Sequence, residues 1–437
     1  YLSFGYSMKD QCILKGYKKL EPGKMLIFDT KNGSVNIDSY WQLPSFNPEN
    51  ADFDIVTKLN KLENILEDSV VKQMHADVPV GILLSGGIDS SLITAFASRN
   101  FDNVNTFNIG FDKNLKVDES MVASEISSYF GTNHTKFIAN PDCVELLPLL
   151  AKQFDEPIID SSMIPTYLVY KLISKKAKVA ISGDGGDELF GGYKHYSRFL
   201  IMSKFLKLFP RFLKHFIEKQ TPKFLDNGYS LYNYLSSLNT NFDTCLPNIP
   251  CYFPNQLRNK LFKEDFSFEF EDINKFNKYS DFDEDVVQKA TRNDFYNYLS
   301  RDILTKVDRT SMLNSVEARA PFLDYRVIEF AFSSISSDLK ANTKNTKIIL
   351  RKLAEKLLPP KISKLEKKGF ELPLNLWLES GPFRDFFYDV LSSRNSIISK
   401  EILIKLFKNI KSKKNNPERL FALVQLQLWK DIYNIKF

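Results

Sequence analysis

The sequence predicts an α/β fold: a doubly wound parallel sheet with a helical insertion and a helical C-terminal part, preceded by the remnant of an N-terminal β-rich domain. Three observations predict it. VPVGILL (Val78–Leu84) is an almost unbroken apolar run of strand length, the pattern of a parallel strand covered on both faces. From there to Ser182 short apolar runs alternate with helical periods. Beyond Tyr196 the strand pattern stops.

The elements follow in order. Residues 1–50 hold YLSFGYSMKD, LKGYKKLEPGKMLIFD and GSVNIDSYWQLP, short alternating apolar stretches divided by Gly, Asn and Pro, as in β-hairpins. They are too few strands for a domain, and a chain starting at Tyr1 inside an apparent strand reads as the tail of a larger one. A second domain, 51–437, opens with a helix whose apolar face is Val56, Leu59, Leu62, Leu66, Val70 and Met74. After the strand Val78–Leu84 come a helix (Ser90–Arg99), a strand (Val104–Phe111), a helix (Met121–Phe130), a strand (His134–Ala139) and, past two helical stretches, the strand Lys178–Ser182. Between Tyr196 and Arg292 weak helical periods with breaks at Pro210, Pro222, Pro247, Pro250 and Pro254 suggest a helical insertion. Helical periods return over Asn293–Phe332, Thr346–Leu358 and Phe421–Tyr433.

Composition narrows the function. The 437 residues carry 59 Lys and Arg against 53 Asp and Glu, a net +6 too dilute to argue for a nucleic-acid partner. No apolar run reaches the length of a membrane span, and the first ten residues lack the pattern of a secretory signal. Cys12, Cys143, Cys245 and Cys251 form no CxxC pair, so free thiols in a reducing, cytoplasmic compartment are the expectation. His75, His134, His195 and His215 have no paired metal-ligand spacing.

Chemistry concentrates in two loops. LLSGGIDSS (Leu83–Ser91) sits between a buried strand and a helix. Gly86 and Gly87 allow a tight turn and close approach, and the helix N-terminus with Ser85, Ser90 and Ser91 favours an anion, phosphate above all. GxxxxGK[ST] does not occur, so a Walker A site is unsupported. Asp89 would repel bound phosphates unless a divalent cation intervenes, which implies magnesium. A Gly-Ser turn with Asp89 capping the next helix is the plainer alternative, outweighed by the longer SGGxDSS string after VGILL.

ISGDGGDELFGGY (Ile181–Tyr193) also follows a short buried strand and carries Asp184, Asp187 and Glu188 among its glycines. Such crowded carboxylates can hold a cation or exchange protons with a substrate. The spacing of a calcium loop is not matched. In a parallel sheet both loops lie at the carboxyl ends of strands, so Asp89 and Asp187 can meet over one ligand.

LLSGGIDSS is similar to the pyrophosphate loop of N-type ATP pyrophosphatases, and ISGDGGDELFGGY narrows the resemblance to the asparagine synthetase (glutamine-hydrolysing) family. DEPIIDSSMIPTYL (Asp155–Leu168), KVDRTSMLNSVEARAPFLDYR (Lys306–Arg326), TKIILRKLAEKLLPPKI (Thr346–Ile362) and KKGFELPLNLWL (Lys367–Leu378) follow in that family's order. YLSFGY and KGYKKLEPGK resemble the end of its glutaminase domain.

The resemblance implies an adenine nucleotide alpha hydrolase-like fold and a ligase that adenylates the side-chain carboxylate of aspartate, releases pyrophosphate and transfers ammonia to give asparagine and AMP. It implies ATP and Mg2+, with Ser85, Gly86, Gly87, Asp89 and Ser90 at pyrophosphate, and Asp89 with Asp187 at the metal. Leu83, Ile109, Ser182 and Gly183 match positions around adenine and ribose. Lys347 matches a lysine that neutralises phosphate charge, and Tyr193 a residue shaping the pocket or serving as a structural hydroxyl. Asp184 stands where many members carry glutamate as the proposed base, and its shorter arm leaves that assignment open.

In this family the glutaminase nucleophile is an N-terminal cysteine, and Tyr1 stands at the start here, so the expectation is a truncated copy limited to free ammonia. A homodimer is compatible with the resemblance. Relatives that amidate another carboxylate or close a lactam are the nearest rivals, followed by an RNA-modifying enzyme of the same superfamily and an inactive scaffold. EARAPFLDYR (Glu317–Arg326) reads equally as pocket lining or as a buried ion-pair network. The lysine runs at 175–178 and 411–414 read as solvated surface.

Overall fold

The computed structural model describes residues 1–51, 54–110, 120–138, 143–224, 230–242, 245–247, 251–258, 260–263, 285–363, 373–411 and 416–436. An antiparallel hairpin, β1 (Lys24–Phe28) and β2 (Val35–Ser39), precedes a five-stranded parallel sheet. The sheet strands are β3 (Val80–Leu83), β4 (Asn105–Gly110), β5 (Asn133–Ile138), β6 (Val179–Ile181) and β7 (Glu317–Arg319). Their order is β5-β4-β3-β6-β7, so the chain winds outward from β3 in one direction and then restarts at β6 on the other side. That reversal opens a crevice at the carboxyl ends of β3 and β6, the place where open α/β sheets bind ligands.

Helices cover both faces. On one side lie α1 (Ile55–Met74), α2 (Ile88–Asn100), α3 (Ser120–Phe130) and, later in the chain, two helices that complete the layer. Leu62, Leu66, Val70, Ile82, Leu92 and Phe96 form the core there and are fully buried. Each such side chain contributes about 1.5–3 kcal/mol relative to exposure. On the opposite side α4 (Met163–Ile173) and several C-terminal helices pack over Phe107, Ile109 and Ala180. Gly81 is required beneath this layer, because a Cβ there would stand 2.5 Å from the Phe107 ring.

Among the described residues the strand readings hold to within one or two residues, Phe111 and Ala139 lying outside the described set; in β3, β4 and β6 apolar runs inside the sheet leave little choice of conformation, whereas β5 is a largely exposed edge strand. The first helix starts at Ile55 because Asp54 accepts hydrogen bonds from the backbone of Val56 at 2.8 Å and Thr57 at 3.0 Å. Val56, read as part of its apolar face, is exposed, as one turn beyond the cap the helix has not yet reached the core.

Two readings are corrected, and a third that was open is decided. Residues 1–7 form a buried turn, not a strand: Ile159 and Tyr252 donate backbone hydrogen bonds to the carbonyls of Gly5 and Ser3 at 2.8 and 2.9 Å, which ties the segment to the sheet domain. Asn293–Phe332 is not one helical stretch. A π-helical segment (Phe295–Ile303) leads into a helix (Leu304–Met312), then β7 interrupts before the helix Tyr325–Ser333. The strand was hidden because Glu317–Arg319 joins the sheet at its edge, where charged residues are tolerated. EARAPFLDYR resolves as a structural network: Arg319 donates to the carbonyls of Gln73 and His75 at the end of α1, and Arg326 pairs with Asp324 and Asp68.

The described part of the insertion contains helices at Lys194–Leu208, Arg211–Phe224, Ser230–Leu235, Asn255–Arg258 and Val286–Asp294, with turns and irregular segments between them. Pro210 separates the first two of these helices, whereas Pro222 falls inside the second. Lys175, Lys176 and Lys178 are exposed, and residues 412–414 lie outside the described set. Among the described residues no helix is long and apolar enough to cross a membrane, and the four cysteines are unbonded to one another.

Candidate active site

The SGGIDSS loop leaves β3 and enters α2, with Gly87 at the helix cap and Gly86 at φ +85°, a left-handed conformation natural only to glycine. Its serines brace the turn. Ser91 Oγ donates to the Gly87 carbonyl at 2.6 Å, Ser90 Oγ to the same carbonyl at 3.2 Å, and Ser85 and Ser90 hydroxyls meet at 3.1 Å. The loop is therefore set by its own side chains, with Asp89 in the first helical turn, where the helix dipole favours a carboxylate.

The second loop leaves β6 and enters a short helix, α5 (Gly186–Phe190). Ser182 donates from its backbone to Arg319 on β7 at 2.9 Å and from its hydroxyl to Asp184 Oδ2 at 2.6 Å. The glycines are spacing devices. A Cβ on Gly183 would stand 2.8 Å from Asp89 Cβ, and one on Gly186 would stand 2.7 Å from Asp89 Oδ1. The two loops thus touch, backbone of one against carboxylate of the other.

Lys347 completes the junction from a third part of the chain. It caps the helix Ile348–Leu357 in a left-handed conformation, φ 55° and ψ 37°, which costs a non-glycine residue roughly 1–2 kcal/mol. Its backbone donates to the Gly191 carbonyl at 3.2 Å. Its buried Nζ donates to Asp89 and forms an ion pair with Asp187 Oδ1 at 2.7 Å. Burial pushes the ammonium pKa down, but Asp187 and Asp89 more than reverse this and hold it well above its ordinary value. At 4% exposure Lys347 is no solvated surface lysine.

Tyr193, at the start of α6 (Lys194–Leu208), donates its hydroxyl to the buried Glu188. Burial, reinforced by Glu188, pushes the Tyr193 phenol far above the usual range, so it stays protonated. Leu83 ends β3 and Ile109 lies near the end of β4, adjacent strands, so both stand at the same rim as Ser182 and Gly183. All the residues singled out from sequence therefore lie at the carboxyl end of the sheet. Within the KKGFELPLNLWL stretch, residues 367–372 lie outside the described set.

Sequence reasoning passed over four polar residues nearby. On the helix α7 (Leu304–Met312), Lys306 donates to Asp160 Oδ2 at 2.6 Å and to Ser162 Oγ at 2.8 Å. Asp302 lies one turn earlier, 4% exposed. The signal was present: Lys306 falls on the apolar seam of Ile303, Val307 and Thr310, where a charge needs a partner.

A magnesium ion is compatible with Asp89 and Asp187. Their oxygens converge on one cation, Lys347 Nζ, and two hard carboxylates suit an ion that draws its other ligands from water and phosphate. Among the described residues no group of three or more His, Cys, Asp or Glu forms a metal cluster.

The Asparagine synthase family model matches residues 61–431. Asparagine synthetase (glutamine-hydrolyzing) 1 of Bacillus subtilis (strain 168) is 29% identical over 439 residues, covering 99% of this chain and 68% of its own length. A putative asparagine synthetase (glutamine-hydrolyzing) of Mycobacterium tuberculosis (strain ATCC 25618 / H37Rv) is 28% identical over 446 residues, covering 99% of this chain and 67% of its own. Among solved structures, the NH3-dependent NAD synthetase from Campylobacter jejuni subsp. jejuni NCTC 11168 aligns with 32% of this chain and 61% of its own, at 19% identity and a TM-score of 0.22. With the family match spanning most of the sheet domain and both loops, the chain belongs to the asparagine synthase family of carbon–nitrogen ligases.

Proposed function

We propose that this chain activates the side-chain carboxylate of L-aspartate with ATP and amidates it with ammonia. A carboxylate oxygen attacks the α-phosphorus as the bond to the β-phosphate breaks, and pyrophosphate leaves. Ammonia then attacks the acyl carbon, loses a proton, and AMP departs with both electrons of the acyl–oxygen bond. The observation that carries this reading is the convergence of Asp89, Asp187 and Lys347 beside the SGGIDSS turn.

Each part has a task. The loop of Ser85, Gly86, Gly87 and Ser90, at a helix N-terminus, holds pyrophosphate, and Leu83, Ile109, Ser182 and Gly183 flank the nucleoside. Lys347 is a fixed cation for charge that grows on the leaving phosphates, effective because it is buried and already oriented. Asp89 and Asp187 would hold Mg2+, which when bound offsets phosphate charge. Asp184, oriented by the Ser182 hydroxyl, takes the proton from attacking ammonia. Tyr193 fixes Glu188 behind Asp187 and so holds the acidic loop in shape.

The test is an incubation of the full chain with ATP, Mg2+, ammonium and a panel of carboxylic acids, following pyrophosphate, AMP and amide. Aspartate-dependent pyrophosphate release with stoichiometric asparagine is expected. Release driven by a different acid, or by none, overturns the aspartate reading.

A further inference from the structure

Lys306 is a largely enclosed lysine whose surroundings differ from those of Lys347. An ammonium has three N–H donors. Lys306 gives one to Asp160 and one to Ser162, and makes no further hydrogen bond among the described residues. The Lys306 and Asp160 side chains keep 12% and 16% of their surface accessible, so the pair is reached from outside. The helix that carries Lys306 packs against β7, the strand paired with β6, from whose end the acidic loop departs.

Two other polar atoms on the segments packed here lack partners. Asp302 Oδ1 and the Tyr170 hydroxyl, in side chains at least nine-tenths buried, have no hydrogen-bond partner among the described residues. Tyr170 stands on α4, against which α7 packs, and it feels the charge of Asp184. Asp302 belongs to the π-helical segment Phe295–Ile303, a backbone form that recurs at functional sites. Buried polar atoms left unpaired are costly, and an unpaired carboxylate oxygen one turn from a cation with a spare N–H calls for a ligand.

We propose that Lys306, Asp302 and Tyr170 form the subsite for the α-carbon end of an amino-acid acceptor. The third N–H of Lys306 takes the α-carboxylate, Asp302 takes the α-ammonium, and the Tyr170 hydroxyl bonds either group. This deepens the ligase reading and rests on it: holding one end of the acceptor here leaves its side-chain carboxylate directed to the nucleotide at the SGGIDSS loop. A zwitterion fits a site with one lysine among acids better than a simple dicarboxylic acid does.

Three acceptors dissect the subsite in the full chain. L-Aspartate has both α groups, succinate lacks the ammonium, and β-alanine lacks the α-carboxylate. Rates of pyrophosphate release give kcat/KM for each acid that turns over, and inhibition against aspartate gives an affinity for each that does not. Lys306→Met should weaken aspartate and succinate about 10–100-fold, mainly in KM, with β-alanine and the KM for ATP unchanged. Asp302→Asn should weaken aspartate and β-alanine and spare succinate. Lys306→Arg, which keeps the charge, should show the Lys306→Met pattern in weaker form and serves if the methionine variant does not fold. Equal losses for all three acids assign these residues a merely structural part and overturn the subsite. A wild-type chain that releases pyrophosphate with no acid overturns the ligase reading itself.

Discussion

Lys347 Nζ lies 2.7 Å from Asp187 Oδ1 while also donating to Asp89, so one buried ammonium joins the loop after β3 to the loop after β6. Removing one partner of a buried ionic cluster strands the others, at about 3–5 kcal/mol. Lys347→Met should therefore lower unfolding free energy by about that amount in chemical denaturation. It should also reduce pyrophosphate release by at least about 100-fold with folded protein. A variant as stable as wild type would show that the cluster is not held by charge.

Gly192 abuts the same cluster. A Cβ there would overlap Asp187 Oδ1 and stand 2.6 Å from Lys347 Cε, both at the interior ends of their side chains. Gly192→Ala should leave the circular dichroism spectrum intact yet cut kcat/KM for ATP about 100-fold, the scale of an ångström-level misplacement. Unchanged kinetics would mean that Asp187 and Lys347 need not keep this geometry.

Tyr193 and Glu188 are tied by a hydroxyl–carboxylate hydrogen bond in which Glu188 is 1% exposed. Tyr193→Phe keeps the ring and deletes the donor. It should cost about 1–3 kcal/mol of stability, read from denaturant midpoints. Activity should fall through kcat, because the acidic loop loosens, and not through the KM for ATP.

Asp302 makes stability depend on pH. Burial pushes its carboxyl well above the usual range, with Asp160 adding to the effect. In the unfolded chain it ionises near 3.9. Its contribution is fully present below about pH 4 and is lost as pH rises through its folded pKa, because the unfolded form sheds the proton first. Asp302→Asn removes this loss. Its unfolding temperature should exceed that of wild type at pH 7, with the gap narrowing as pH falls towards about 4. A gap independent of pH would assign the gain to packing.

Much of the fold was legible from residue order. Val78–Leu84, Val104–Phe111, His134–Ala139 and Lys178–Ser182 read as strands because apolar runs of that length, bounded by glycine and polar turns, have one economical structure in a covered sheet. The two glycine-rich loops were legible for a related reason, as small and acidic residues at strand ends have few structural uses. β7 and the turn at residues 1–7 were not, since neither follows from local preference: Glu317–Arg319 is a strand only because β6 offers a free edge, and Tyr1–Ser7 is ordered by Ile159, Tyr252 and Phe253.

Sequence by itself determined the alternation of strand and helix, the glycine turns and the candidate chemistry of Asp89, Asp184 and Asp187, because these depend on neighbours along the chain. Only the tertiary structure decided which charges meet. Lys347 looks like any helix lysine until the helix cap brings it between two carboxylates, and the partner that Lys306 needs on its apolar seam is supplied only when Asp160 is brought against α7. Electrostatic energy depends on separation through space and on burial, and neither quantity is carried by the distance between residues in a chain.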